Sequence, residues 1–354
     1  MKIGLVNAIG LNSSDAMLEM ELCLLLREEG LEIVPIIQSE IGSAAIVSKG
    51  FPYRIADMTI EEDAADVLSD IDVVVFLKEA TPNAPHGQPK VAREINQKVV
   101  DNLVKYSKRS SSIIYISSIS AWGGKLASKY QHDLLVREKR FIEKRVKRKC
   151  TVWNRKYKNQ KRAYILRVGH VMGMMQKQTN ELEKLLGKEG RIYIDADGNL
   201  ESNVAHIMIV IRAIVMCQNE EIKPGKYTVV NSPQWSWKEV IEYYSPEGTE
   251  IQFYGSKSGN KKSIKNNVVS MVWKMAETQK SRLVPLLTYM SEGRNIQVVN
   301  KHLRGESKEA INNLKRKAGV RLDMFSYNPA PGKIPEIELE GLLQRYEKAA
   351  SKRE

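Results

Sequence analysis

The chain has 354 residues, 42% hydrophobic and 27% charged, with 55 Lys and Arg against 42 Asp and Glu and only three cysteines. This excludes a disordered chain and a disulfide scaffold: there is apolar material for a large core, and Cys23, Cys150 and Cys217 form no C-x-x-C pair. The longest apolar stretch, 207–217, is broken by Arg212 and is shorter than the roughly 20 residues of a bilayer span, and MKIGLVN enters a strand pattern with no secretory apolar region, so a cytoplasmic location is expected.

In chain order, KIGLVN at 2–7 reads as a strand, 14–29 as an amphipathic helix and EIVPII at 32–37 as a second strand, a βαβ opening. Helix patterns at 60–70, 90–107 and 130–147 then alternate with apolar runs at 72–77, 112–117 and 163–168. Strands this apolar are covered on both faces, which predicts an α/β fold with a doubly wound parallel sheet of Rossmann type. After Gly173 the alternation loosens into a helix at 205–217, a strand at 227–231 and a helix starting near Ser236. Further on, 266–278 has apolar residues at helical spacing, 307–318 reads as a polar helix ending at Gly319, and a charged helix is expected at 336–351. The expected organisation is a nucleotide-binding domain at 1–175, a small mixed substrate lobe at 176–255 and a mainly helical extension at 256–354.

Charge is unevenly placed. Residues 1–100 carry 8 basic and 16 acidic side chains, so the formal net charge of +13 comes from the remainder. The densest stretch, 144–162, has ten Lys or Arg in nineteen residues with Trp153 and Tyr157 between them. It reads as a solvated extension of the helix before the sixth strand; nucleic acid, an anionic membrane or a phosphorylated sugar are the alternative partners for such a cluster. The five histidines show no metal-ligand spacing, so no metal is expected.

The first β-to-α turn, Asn7 to Ser13, keeps only Gly10 of a three-glycine phosphate loop, and it reads equally as a polar turn capping the next helix through Ser13, Ser14 or Asp15. Further along come YISSISAWGG at 115–124, Tyr130, Glu138 and LRVGHVMG at 166–173. In order and spacing these motifs resemble the extended short-chain dehydrogenase/reductase superfamily, in its NAD-dependent epimerase/dehydratase group, from residue 1 to about 245. DMTIEED at 57–63 resembles the segment after the third strand, whose Asp, here Asp57, holds the adenine; INQKVVDNL at 95–103 resembles the helix carrying a structural Asn, here Asn96. The resemblance implies Gly10, Asp57 and Asn96 on the cofactor side, NAD or NADP as cofactor, Ser118 orienting the substrate, Tyr130 exchanging the proton, a nucleotide sugar as ligand and a homodimer.

Several positions depart from that pattern. The Lys expected four residues after the Tyr is Leu134; the ribose-binding position at the end of the second strand is Ile37 followed by Gln38; the small pair after the fourth strand is Lys78 and Glu79; and the two acids after His206 are Met208 and Ile209. A phenol near its ordinary pKa of about 10 is ionised to about one part in a thousand at pH 7, and Leu134 does nothing to change that. The expectation is a family fold with reduced or absent nicotinamide-dependent catalysis, a pseudoenzyme, with Lys78 and Glu79 plugging the cofactor channel. The alternative is an active NAD(P)-dependent epimerase, dehydratase or reductase using Ser118 and Tyr130.

Overall fold

The computed structural model describes residues 1–7, 13–40, 43–80, 89–122, 129–158, 160–186, 191–194, 198–253 and 333–350. Along the chain β1 (Lys2–Asn7), α1 (Ser13–Glu28), β2 (Glu32–Ile37), α2 (Ala44–Ser48), β3 (Arg54–Ile55), α3 (Glu61–Leu68) and β4 (Val73–Lys78) come first. They are followed by α4 (Pro89–Tyr106), β5 (Ser112–Ser118), α5 (Lys129–Tyr157), β6 (Arg162–Val168), β7 (His170–Met172) and α6 (Lys177–Leu186). Then come β8 (Arg191–Ile194), β9 (Val204–His206), α7 (Ile207–Gln218), β10 (Gly225–Val229), α8 (Trp237–Tyr244), β11 (Glu250–Phe253) and α9 (Leu339–Ala350).

Seven strands make one parallel sheet in the order β10-β6-β5-β4-β1-β2-β3, so the predicted doubly wound α/β fold is what forms. The order reverses at β1 and β4, which makes the carboxyl ends of these two strands the crevice where such sheets take ligands. Alternation along each strand builds two cores. Val73, Val75 and Leu77 of β4 with Ile114 and Ile116 of β5 pack toward α1 and α7. Val74, Phe76, Ile113 and Tyr115 pack toward α3, α4 and α5. Helix α7 is apolar nearly all round because it is enclosed, with α1 on one side and α9 on another.

The chain divides into two compact units: one made of 1–188, 199–246 and 325–354, the other of 189–198 and 247–324. In the smaller unit, β8 and β11 form a two-stranded parallel ladder. The strand expected at 227–231 does not stay in a separate lobe; as β10 it completes the edge of the main sheet beside β6. Helix α5 continues to Tyr157, ten residues beyond the expected end at 147, because the basic segment has no glycine or proline to stop it. The helices expected at 266–278 and 307–318 lie outside the described residues, and of the expected helical extension α9 is described. Among the described residues no helix is long and apolar enough to cross a membrane.

Candidate cofactor and substrate site

At the end of β1, Asn7 turns its amide nitrogen to Glu19 of α1 at 2.9 Å. Glu19 is 1% exposed, and burial pushes its carboxyl up to about 8, Asn7 opposing the shift only in part. Gly10 lies outside the described residues. At the end of β2, Ile37 belongs to the apolar core and Gln38 is exposed, so neither a carboxylate nor a guanidinium stands at the ribose position. The nearby Glu40 accepts a hydrogen bond from the Tyr53 hydroxyl.

Asp57 follows β3 as expected, but its Oδ1 already accepts from both the backbone nitrogen and the hydroxyl of Thr59, each at 2.8 Å, in an Asx turn that caps the approach to α3. Asn96 has a structural role in the chain leaving β4. It is fully buried, its Oδ1 accepts from Ala80 N at 2.8 Å, and its Nδ2 donates to Ala80 O at 2.9 Å and to Glu138 Oε1 at 3.1 Å. It pins the chain leaving β4 and offers no free group to a ligand.

The expected plug also needs correction. Glu79 is 2% exposed, with one carboxylate oxygen accepting from the Tyr115 hydroxyl at 3.0 Å and the other taken by Lys139 of α5. Tyr115 lies in the core facing α4 and α5, so the Glu79 carboxylate is drawn to that side and neutralised there. Lys78, the last residue of β4, is half-buried.

Ser118 ends β5, and its Oγ accepts from Ser120 N at 3.2 Å in the short 3-10 turn that follows. Tyr130 is the second residue of α5; the placement of its side chain lies outside the described residues. Leu134 is half-buried one turn further on. Beneath these, Glu143 of α5 is held by a cluster the sequence did not announce: Arg167 donates through Nε at 2.8 Å and Nη2 at 2.6 Å, Lys226 at 2.7 Å and Ser117 at 2.8 Å. Burial would raise the Glu143 carboxyl, but Arg167, Lys226 and Ser117 outweigh it and hold it below its ordinary value. The Arg167 guanidinium also lies 4.1 Å over the Trp122 ring, which fixes the turn after Ser118.

A second group of residues comes from two segments that run side by side. Ser202 N donates to Trp235 O at 2.9 Å, Asn231 N to Val204 O at 2.8 Å, and Trp237 N to Leu200 O at 3.0 Å. On these segments Glu201 Oε2, Asn231 Nδ2, both amide atoms of Gln234 and Trp237 Nε1 are buried with no hydrogen-bond partner. Buried polar atoms are ordinarily paired, so these five on two adjacent segments form a local group of open donors and acceptors. Gln234 lies in the S-P-Q-W segment at 232–235 that follows β10, whose composition marks a turn and nothing more. No group of three metal-ligating side chains occurs among the described residues.

Neither a family model nor a curated protein matches the chain. Solved structures do share its fold. UDP-N-acetylglucosamine 4-epimerase from Bacillus cereus superposes with a TM-score of 0.51 at 16% identity, over 75% of this chain and 90% of that one. UDP-glucose 4-epimerase from Thermotoga maritima gives 0.50 at 14% identity, over 73% and 87%. UDP-glucuronic acid 4-epimerase from Bacillus cereus, solved with NAD, gives 0.50 at 17% identity, over 72% and 86%. The chain thus has the fold of these UDP-sugar 4-epimerases.

Proposed function

We propose that the protein binds a nucleotide sugar on this fold and carries out little or no nicotinamide chemistry. The observation that carries the reading is Leu134, one helical turn beyond Tyr130, where an ammonium would be required. The other described positions agree: Ile37 is apolar, the Asp57 oxygen is engaged by Thr59, and Asn96 is spent on Ala80. These residues do not fit a dinucleotide held in the manner the resemblance implies, so no reaction step is derived through one. The substrate side differs: the unpaired atoms of Glu201, Asn231, Gln234 and Trp237 suit the hydroxyl and carbonyl groups of a sugar nucleotide.

The second reading, an active epimerase, dehydratase or reductase with Ser118 and Tyr130, is favoured by the position of Ser118 at the end of β5 and of Tyr130 at the start of α5. Titration calorimetry separates the two. The proposal expects saturable binding of UDP-glucose, UDP-N-acetylglucosamine or UDP-glucuronate, with NAD(H) and NADP(H) binding weaker than millimolar. Tight dinucleotide binding, or a redox turnover that Tyr130→Phe abolishes, overturns it.

The homodimer implied by the resemblance would join helices of the large unit. The adjacent pair α4 and α5 exposes Lys90, Lys98, Arg137, Lys144 and Arg148 against Glu94, so two copies meeting there would repel. Our reading therefore has no dimer through that pair.

A further inference from the structure

We propose that the outer face of the C-terminal half of α5, with the groove beside it, binds single-stranded nucleic acid through its phosphates. From Lys144 onward the helix presents exposed cations in two groups, Lys144, Lys147 and Arg148, then, beyond the turn of Thr151 and Val152, Arg155 and Lys156, followed by Lys158. No carboxylate pairs with any of these six among the described residues. The acids nearby serve other cations: Asp101 takes Arg145 and Lys149 at 2.6 and 2.7 Å, Glu220 takes Arg162 at 2.7 Å, and Glu143 takes Arg167 and Lys226. At about 1.5 Å per residue, the uncompensated charges extend for roughly 20 Å.

Alongside runs a groove of about 650 Å³, with Lys144, Lys147 and Thr151 of α5 on one wall and Gly225 and Lys226 of β10 on the other. Its floor is prearranged, because the Asn154 side chain donates to Lys161 O at 2.9 Å and accepts from Lys161 N at 2.7 Å, which fixes the turn into β6. Near the end of the helix Tyr157 is 43% exposed, packs its ring against Trp153 with centroids 4.3 Å apart and has Lys156 Nζ 5.1 Å from its ring centroid, so an aromatic group that a base could approach stands beside the cations.

The distribution of charge selects the partner. A small phosphorylated ligand needs cations that converge on one point, yet in the groove Arg162 and Lys226 are already committed to Glu220 and Glu143. A membrane needs a flat face with an apolar edge to insert, and on this surface Val152 and Tyr157 are the large exposed apolar groups. A line of cations beside a narrow recess suits a flexible phosphodiester chain.

Fluorescence anisotropy with a labelled 20-nucleotide oligo(U) and oligo(dT) tests this on the full chain. Six phosphate contacts imply a slope of about 4 in log Kd against log salt, and hence more than a hundredfold weakening between about 50 and 200 mM. The variant Lys144→Ala/Lys147→Ala/Arg148→Ala should weaken binding at least tenfold and lower the slope by about 2, with an unchanged circular dichroism spectrum. Lys49→Ala/Lys238→Ala, which removes two exposed cations elsewhere, should leave binding intact. The proposal fails if neither oligonucleotide binds at low salt, if the triple variant binds like wild type, if a duplex of equal length binds as tightly as the single strands, or if vesicles containing phosphatidylserine bind and the oligonucleotides do not.

Discussion

Arg167 and Glu143 face each other across β6 and α5 in a bidentate pair, 2.8 and 2.6 Å, with both side chains at most 4% exposed. Such a pair contributes little over a well-packed apolar equivalent, but removing Glu143 strands the buried Arg167 charge, at a cost of about 3–5 kcal/mol, whereas removing Arg167 leaves Glu143 still held by Lys226 and Ser117. Glu143→Gln should lower the thermal midpoint sharply and Arg167→Met less so, and Glu143→Gln/Arg167→Met should lose much less than the two single losses added together. Differential scanning calorimetry of the cycle checks this; full additivity would remove the pair from any special role.

Leu134→Lys restores an ammonium one turn from Tyr130. At about 5 Å and an effective dielectric of about 20 it supplies roughly 3 kcal/mol, which should lower the phenol pKa by about two units. A titration of ¹³C-labelled tyrosine, with Tyr130→Phe to assign the resonance, reads the shift directly. The same variant should remain without redox turnover, because Ile37 still gives nothing to a ribose.

Glu19 makes stability depend on pH in a definite sense. Its folded pKa of about 8, raised by burial, lies above the ordinary 4.5, so the folded chain holds an extra proton between these values. The stability associated with it is complete below pH 4.5 and is lost as pH rises through 8. Glu19→Gln should flatten this part of the stability curve and raise the unfolding free energy at pH 8, read from urea melts, by about a few kcal/mol.

His206 acts in the opposite direction. Burial lowers its pKa from 6.5 to about 4, and its Nδ1 accepts from Met208 N at 3.3 Å to cap α7. Below pH 6.5 the unfolded chain takes a proton that the folded chain refuses, so stability falls between pH 6.5 and 4, by at most about 3 kcal/mol. His206→Asn keeps a capping side chain and should remove about one proton from the acid unfolding slope, measured by denaturant melts across that range.

The frame was legible because strands such as VVVFLK and SIIYIS, covered on both sides, cannot be mistaken for surface segments. β3, β7 and β9 were not, because two or three residues carry no periodicity. At the site, what is missing could be read from identity alone, as with Leu134 and Ile37. What each remaining group does could not. Glu79 looked like an obstruction because its partners lie 36 and 60 residues away in Tyr115 and Lys139. Asp57 looked free because an Asx turn is a property of backbone conformation, and the unpaired atoms of Gln234 and Trp237 depend on the segment at 200–206 running beside them.

The segment 333–350 returns to the sheet edge and to α1. Lys333 O accepts from Thr228 N at 2.9 Å and so lies along the outer edge of β10, while Tyr346 of α9 donates to Glu21 of α1 at 2.5 Å. Without this segment Thr228 N would lose its acceptor at the β10 edge, and Glu21 would keep Gln176, at 2.6 Å, but lose Tyr346. A chain lacking residues 333–350 would therefore offer the outer edge of β10 for strand pairing with a neighbouring molecule.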